Sequence, residues 1–194
     1  MVRALAEDGH RVRLVTFGTA EEQAAGRAEL EHLCERVEVV DAPPEGGQGL
    51  RRLLALGSRL PFGAWRFRSP ELAARLRRRL EADGVDVILC DGIYNVQNMP
   101  AAPGVPVLLN KDDVAHIILR RYLNLERHPA RRLYGEMEYR KVRRWEAWAC
   151  RHMTAVLVCS EEDRRILRAL CPGVPMPVIP NVVDTDHYQP RPGA

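Results

Sequence analysis

The apolar residues of this chain fall alternately into short continuous runs and into stripes at helical spacing. Ala155–Cys159, AVLVC, is a run of the kind that a strand buried on both faces produces. Ser160 follows at once as a helix cap. Asp163, three residues on, completes an approximate capping box, and Glu161 and Glu162 add negative charge at the positive helix end. Ile166, Leu167 and Leu170 form the buried stripe of that helix. Pro172, Pro175 and Pro177 stop it, Val178–Ile179 is a second strand, and Pro180-Asn181 turns the chain out.

The same alternation runs upstream. Val2 and Leu5 share a helix face that ends at Asp8-Gly9, where glycine takes positive φ. Arg11–Phe17 is a strand, Glu21–Leu33 a helix weakened by Gly26, and Val37–Val40 a strand. After the loop Ala42–Gly49, helical spacing returns through Leu50, Leu53, Leu54 and Leu56. Pro70 opens a helix carrying Leu72, Leu76 and Leu80 that ends at Asp83-Gly84. Val85–Cys90 and Pro106–Asn110 are strands. Lys111-Asp112-Asp113 leads into a helix with apolar Val114, Ile117, Ile118, Tyr122 and Leu125. Pro129 breaks it, and Ala130–His152 is a long helix with Leu133, Met137, Trp145 and Trp148 inward. This order predicts an α/β fold: a Rossmann-like parallel sheet with helices on both faces, joined by right-handed crossovers.

Two stretches carry a resemblance. The strand ending in C-S-E-x-D, its helix, and then V-I-P-N-x-V-D-T-x-x-Y-x-P over Val178–Pro190 resemble the end of the N-terminal domain of a GT-B glycosyltransferase of the GT4 type. That family often has glycine where Val182 stands. Arg3–Thr16, RALAEDGHRVRLVT, is similar to the end of the family's first helix and its second strand. The resemblance implies that the chain is truncated at both ends, lacking the first strand with its Gly-rich loop. Residues 1–180 would be the acceptor-side domain and 181–194 the start of the inter-domain linker, with the C-terminal donor-binding domain absent. It further implies transfer of a sugar from a nucleotide diphosphate sugar, the donor substrate, to a polysaccharide or lipid-linked acceptor, with no cofactor and no metal. In the family the second domain holds the donor through an E-x7-E-type motif, so this chain alone is expected to be inactive.

Composition narrows the setting. With 46% hydrophobic and 28% charged residues the chain is globular rather than disordered. A net charge of +3 does not argue for nucleic acid, and no recognition motif supports it. Five scattered cysteines without a C-x-x-C pair favour reduced thiols in the cytosol over a disulfide framework or a zinc site. No apolar run approaches the roughly 18 residues of a membrane span, and the N-terminus has no signal-peptide core. The expected location is cytoplasmic, peripheral at the inner face of the cytoplasmic membrane.

In an open parallel sheet, ligands bind at the carboxyl ends of the strands. That selects Thr16–Thr19, Asp91–Asn95, Asn110–His116 and Ser160–Glu161. The third is the richest. Asp112, His116 and Arg120 recur every fourth residue as a polar stripe at a helix N-terminus, able to orient a hydroxyl or a phosphate. The plainer alternative is that His116 and Arg120 are surface residues pairing with Asp112. Members of the resembled family often read H-N-x-E or H-D after this strand; here Asp112 and Asp113 stand there, and His116 is the nearest histidine. Asp112 and His116 are the catalytic candidates. Asp91, Asn95, Asp113, Arg120, Ser160 and Asn181 are candidate substrate contacts. A plain turn at Asp91 and Asn95, a cap at Ser160 and a hinge role for Asn181 and Asp184 are the alternatives.

Arg120–Arg151 is strongly basic and, with Trp145 and Trp148, suits an anionic membrane surface. It equally suits a solvated helix face with i,i+4 pairs such as Glu136 with Arg140. A non-catalytic acceptor- or membrane-binding module therefore stands as the rival function. An epimerase of the GT-B fold is a further alternative, against which the V-I-P-N-x-V-D exit argues.

Overall fold

The computed structural model describes residues 1–19, 30–44, 46–82 and 84–182. Most of the expected helix Glu21–Leu33, together with Asp83, Asp184 and the tail Gln189–Ala194, lies outside them. The chain divides into two compact units: Met1–Asp86 with Tyr94–Val105, and Val87–Ile93 with the described residues from Pro106 on.

The first unit opens with α1 (Val2–Glu7), closed by Gly9 at φ 85°. Strands β1 (Arg13–Gly18) and β2 (Arg36–Asp41) pair in parallel, from Arg13 opposite Arg36 to Gly18 opposite Asp41. Helices α2 (Gln48–Leu56), α3 (Phe62–Arg66) and α4 (Pro70–Ala82) follow. Apolar spacing found α2, yet Leu50, Leu53 and Leu54 are exposed and Ala55 is the buried residue. Arginines tie α4 to β2: Arg79 Nε lies 2.5 Å from Glu38 Oε1, and Arg75 donates to the Val39 carbonyl at 3.1 Å. Asn98, in a 3-10 turn over Val96–Asn98, is buried. It accepts from the Ser69 amide and donates to the Phe67 carbonyl, both at 2.8 Å, which pins the entry to α4.

The second unit is a parallel sheet in the order β3 (Ile88–Asp91), β4 (Val107–Lys111), β5 (Ala155–Val158). Ile88 stands opposite Val107, and Leu108 opposite Ala155. Leu109 and Val156, which stand opposite each other, are fully buried on one face, while Leu108, Ala155 and Leu157 on the other face are half-buried. Beyond β5, Pro175 and Pro177 accept from the Val156 and Val158 amides, and Val178 makes a parallel bridge to Val158. Pro177 has no amide to return to the Val156 carbonyl, so the ladder stays incomplete, and the strand expected at Val178–Ile179 is reduced to this one bridge.

Between β4 and β5 run α5 (Ala115–Leu125) and α6 (Pro129–Arg151), an antiparallel hairpin, and after β5 comes α7 (Glu161–Leu170). The hairpin closes tightly because Gly135 of α6 has no side chain: a Cβ there would collide with Leu123 of α5. The expected inward stripe of α6 needs correction. Leu133 is 76% exposed and Trp148 40%, while Glu138, Lys141 and Glu146 are buried. The inward face is Gly135, Glu138, Val142, Trp145 and Ala149, and its charged members are there because they are paired. On α5, likewise, Ile118, Tyr122 and Leu125 face out while His116 and Leu123 are buried.

Candidate functional site

The carboxyl ends of β3, β4 and β5 gather polar groups in the second unit. The pattern begins with Glu146, in the C-terminal part of α6 and fully buried. One of its oxygens accepts from Lys111 Nζ at 2.6 Å and from the Ala115 amide at 2.9 Å. The other meets His116 Nδ1. Glu146 thus closes the N-terminus of α5, whose own cap residue, Val114, has no acceptor to offer. Burial alone would push the Glu146 carboxyl up, but the His116 hydrogen bond and the Lys111 charge outweigh it, and its pKa lies below the ordinary value.

Above this buried cluster lies an acidic rim. The Asn110 amide donates to Asp91 at 2.8 Å and reaches Asp112 at 3.4 Å. The Cys159 thiol donates to the Asp112 carbonyl at 3.0 Å and to Asp163 at 3.2 Å, and the Ser160 hydroxyl donates to the same Asp163 oxygen at 2.5 Å. Burial, together with the negative charges of Glu146, Asp112 and Asp163, raises the Asp113 carboxyl pKa against the opposing charge of Lys111. The hydrogen bond to Asp163 raises the Cys159 thiol. Burial and Asp91 push the Cys90 thiol up to about 12, so it is no nucleophile. Lys111 is neutralised by Glu146, so carboxylates and one amide dominate the rim. Such a surface offers hydrogen-bond acceptors to hydroxyl groups in general and repels polyanions such as a diphosphate.

The expected stripe of Asp112, His116 and Arg120 does not form as a unit. Asp112 sits exposed in the rim, because the helix begins at Ala115 rather than near Asp113. His116 is turned into the core against Glu146. Arg120 pairs with Glu136 at 2.6 Å and lies 3.8 Å from the Tyr139 ring centre, so neither it nor His116 pairs with Asp112. Asp91 joins the rim, whereas Asn95 belongs to the first unit, just before the 3-10 turn. Ser160 caps α7, accepting from the Asp163 amide at 3.1 Å, and Asn181 is exposed.

Sequence reading missed Glu146, and it selected the stretch Asn110–His116 without singling out Asn110 or Lys111. A signal was available for Glu146: it follows Glu138 with seven residues between, so both acids lie on nearly one helix face. Both prove to be buried, Glu138 with Lys141 at 3.5 Å. Among the described residues no His, Cys, Asp and Glu group is arranged to hold a metal, and no helix is long and apolar enough to cross a membrane.

A parallel α/β unit with its polar groups collected at the strand carboxyl ends is the architecture of a Rossmann-like ligand-binding half. The sequence profile of Glycosyltransferase Family 4 matches residues 1–187, and the chain belongs to that family. Compared with individual curated proteins, it matches none.

Proposed function

We propose that this chain is the acceptor-side domain of a sugar-transfer enzyme. It works with a second, donor-binding domain to move a sugar from a nucleotide diphosphate sugar to a hydroxyl of a polysaccharide or lipid-linked acceptor. The observation that carries this reading is the family match over residues 1–187, and the acidic rim at the strand carboxyl ends supports it. Asp112 orients the acceptor hydroxyl, with Asp91, Asn110, Asp113 and Ser160 beside it. His116, held by Glu146 in the first turn of α5, sets the position of that rim. Leaving-group stabilisation falls to the second domain, because this rim is electrostatically wrong for a diphosphate. Residues 1–180 form the domain and 181–194 begin the linker. No cofactor is needed beyond the donor.

The test is transfer of labelled sugar from nucleotide diphosphate sugars to glycan and lipid-phosphate acceptors. The chain is assayed alone and with a donor-binding domain of the same family supplied. Transfer that requires the second domain and falls about a hundredfold or more in Asp112→Asn, the lower end of the effect of losing one positioned acid–base group, supports the reading. Full activity in Asp112→Asn refutes the role of that residue.

A second reading is a module that binds the acceptor's membrane surface without catalysis. It is favoured by the tip of the α5–α6 hairpin, where Tyr122, Leu125 and Leu133 are exposed beside Arg121, Arg127, Arg131 and Arg132. Peripheral contact through Arg120–Arg151 fits either reading. Vesicle binding without transfer, even with the second domain present, selects the module.

A further inference from the structure

The acids of α6 are all committed away from its outer surface. Glu136 pairs with Arg120, Glu138 with Lys141, and Glu146 with Lys111 and His116. Arg143, Arg144 and Arg151 of the same helix line an open cleft of about 260 Å³ together with Ala147 of α6 and Ala169 and Leu170 of α7. No acid lines it. One helical turn from these arginines stand Tyr139, Arg140, Ala147, Trp148 and a single acid, Glu146, which is fully buried and turned to Lys111 and His116. On α7, Glu161, Glu162 and Asp163 occupy the first turn and bond Arg164, Arg165 and Ser160, while the cleft touches the last turn. Arg151 donates to the Leu170 carbonyl at 2.8 Å, which fixes its guanidinium on the wall.

Three cations around one concavity repel each other, and the apolar floor of Ala147, Ala169 and Leu170 sharpens that repulsion by excluding water. The arrangement becomes favourable when an anion enters. Guanidinium forks match the oxygens of a phosphoryl group in pairs, more closely than they match a monatomic anion. The position is also separate from the acidic rim: the cleft touches the end of α7, at Ala169 and Leu170, and the rim touches its beginning, at Ser160 and Asp163.

We propose that the Arg143–Arg144–Arg151 cleft is a phosphoryl-anion site. It takes a phosphate mono- or diester with a short apolar neighbour, supplied either by a soluble phosphorylated molecule or by an anionic lipid headgroup. The site does not depend on the sugar-transfer reading, and its test contains no transfer step.

The experiment measures pyrophosphate binding to the chain by calorimetry, and its co-sedimentation with vesicles containing phosphatidylglycerol in phosphatidylcholine. The variant is Arg143→Ala with Arg144→Ala, both exposed and making no contact in the rim. The control is Arg77→Ala with Arg78→Ala, which removes the same charge from exposed positions of α4. Loss of two charge-assisted contacts is expected to weaken binding about tenfold or more in the cleft variant, against no more than about threefold in the control. Pyrophosphate binding with that contrast identifies a soluble ligand; vesicle binding alone with that contrast identifies a headgroup. Absence of both, or equal weakening by both variants, overturns the proposal. So does binding of an RNA oligonucleotide in place of both.

Discussion

Helices α5 and α7 pose the same problem and solve it differently. Each starts just past the carboxyl end of a neighbouring strand, and each exposes first-turn amides that need acceptors. In α7 the solution is local: Ser160 accepts from the Asp163 amide, and Glu161, Glu162 and Asp163 put negative charge on the first turn. In α5 nothing local serves. Val114 precedes it, no acid lies in its first turn, and the acceptor is Glu146 from the C-terminal part of α6. The second solution does more. The carboxylate that caps α5 also holds Lys111 at the end of β4 and fixes the His116 ring, so one buried charge locks a strand, a helix start and an imidazole. It is also more fragile, because removing it strands a lysine whose side chain is 2% exposed.

Substitutions can break this contrast in graded steps. Glu146→Ala should cost about 3–5 kcal/mol, the usual penalty for leaving a buried partner unpaired. Urea unfolding measures it, and a loss no larger than that of Ser160→Ala would refute the central place given to Glu146. The same pairing carries a pH signature. Because the folded state holds the Glu146 pKa below its ordinary value of 4.5, its contribution to stability is complete above that pH. It is lost as the pH falls through the lower, folded value. Glu146→Gln should abolish this part of the acid dependence, read as a flatter stability curve below pH 4.5.

Gly135→Ala tests the hairpin that brings Glu146 to α5. The added methyl meets Leu123 and should cost about 1–3 kcal/mol; an unchanged urea midpoint would mean that the two helices part without penalty. Ser160→Ala removes the local cap of α7, worth about 1 kcal/mol, together with the hydroxyl's bond to Asp163, and should leave the Glu146 part of the acid dependence intact. The smallest effect is expected at the hairpin tip. Leu125→Ser with Leu133→Ser should change stability by no more than about 0.5 kcal/mol, since both side chains are already in water. If the tip meets a membrane, the pair should still weaken vesicle binding.

The legibility of the chain follows the same division. The longer strand runs fell within three residues of their observed starts, Ala155–Cys159 against β5 at Ala155–Val158 and Val85–Cys90 against β3 at Ile88–Asp91, whereas Val178–Ile179 is a single bridge and not a strand. Ser160 was readable as a cap because its partner is three residues away. The orientation of α6 was misread because Leu133 and Trp148 look like core residues and Glu138, Lys141 and Glu146 look like surface ones. Hydrophobicity describes a residue alone, and a charge can be buried when a partner elsewhere in the chain accompanies it. For the same reason His116 and Arg120 were grouped with Asp112 by spacing, when Glu146 and Glu136 decide where they point.

The sequence by itself determined the elements, their order and the family: apolar runs, turn residues and local caps act over a few positions, and short-range order is written where it acts. Only the tertiary structure decided which residues share the site. Glu146 stands 31 residues from the amide it caps, and Asn110 stands 19 from the aspartate it holds. Such partners are chosen by how the sheet and the helical hairpin bring distant positions together. Burial then makes each of those polar contacts obligatory.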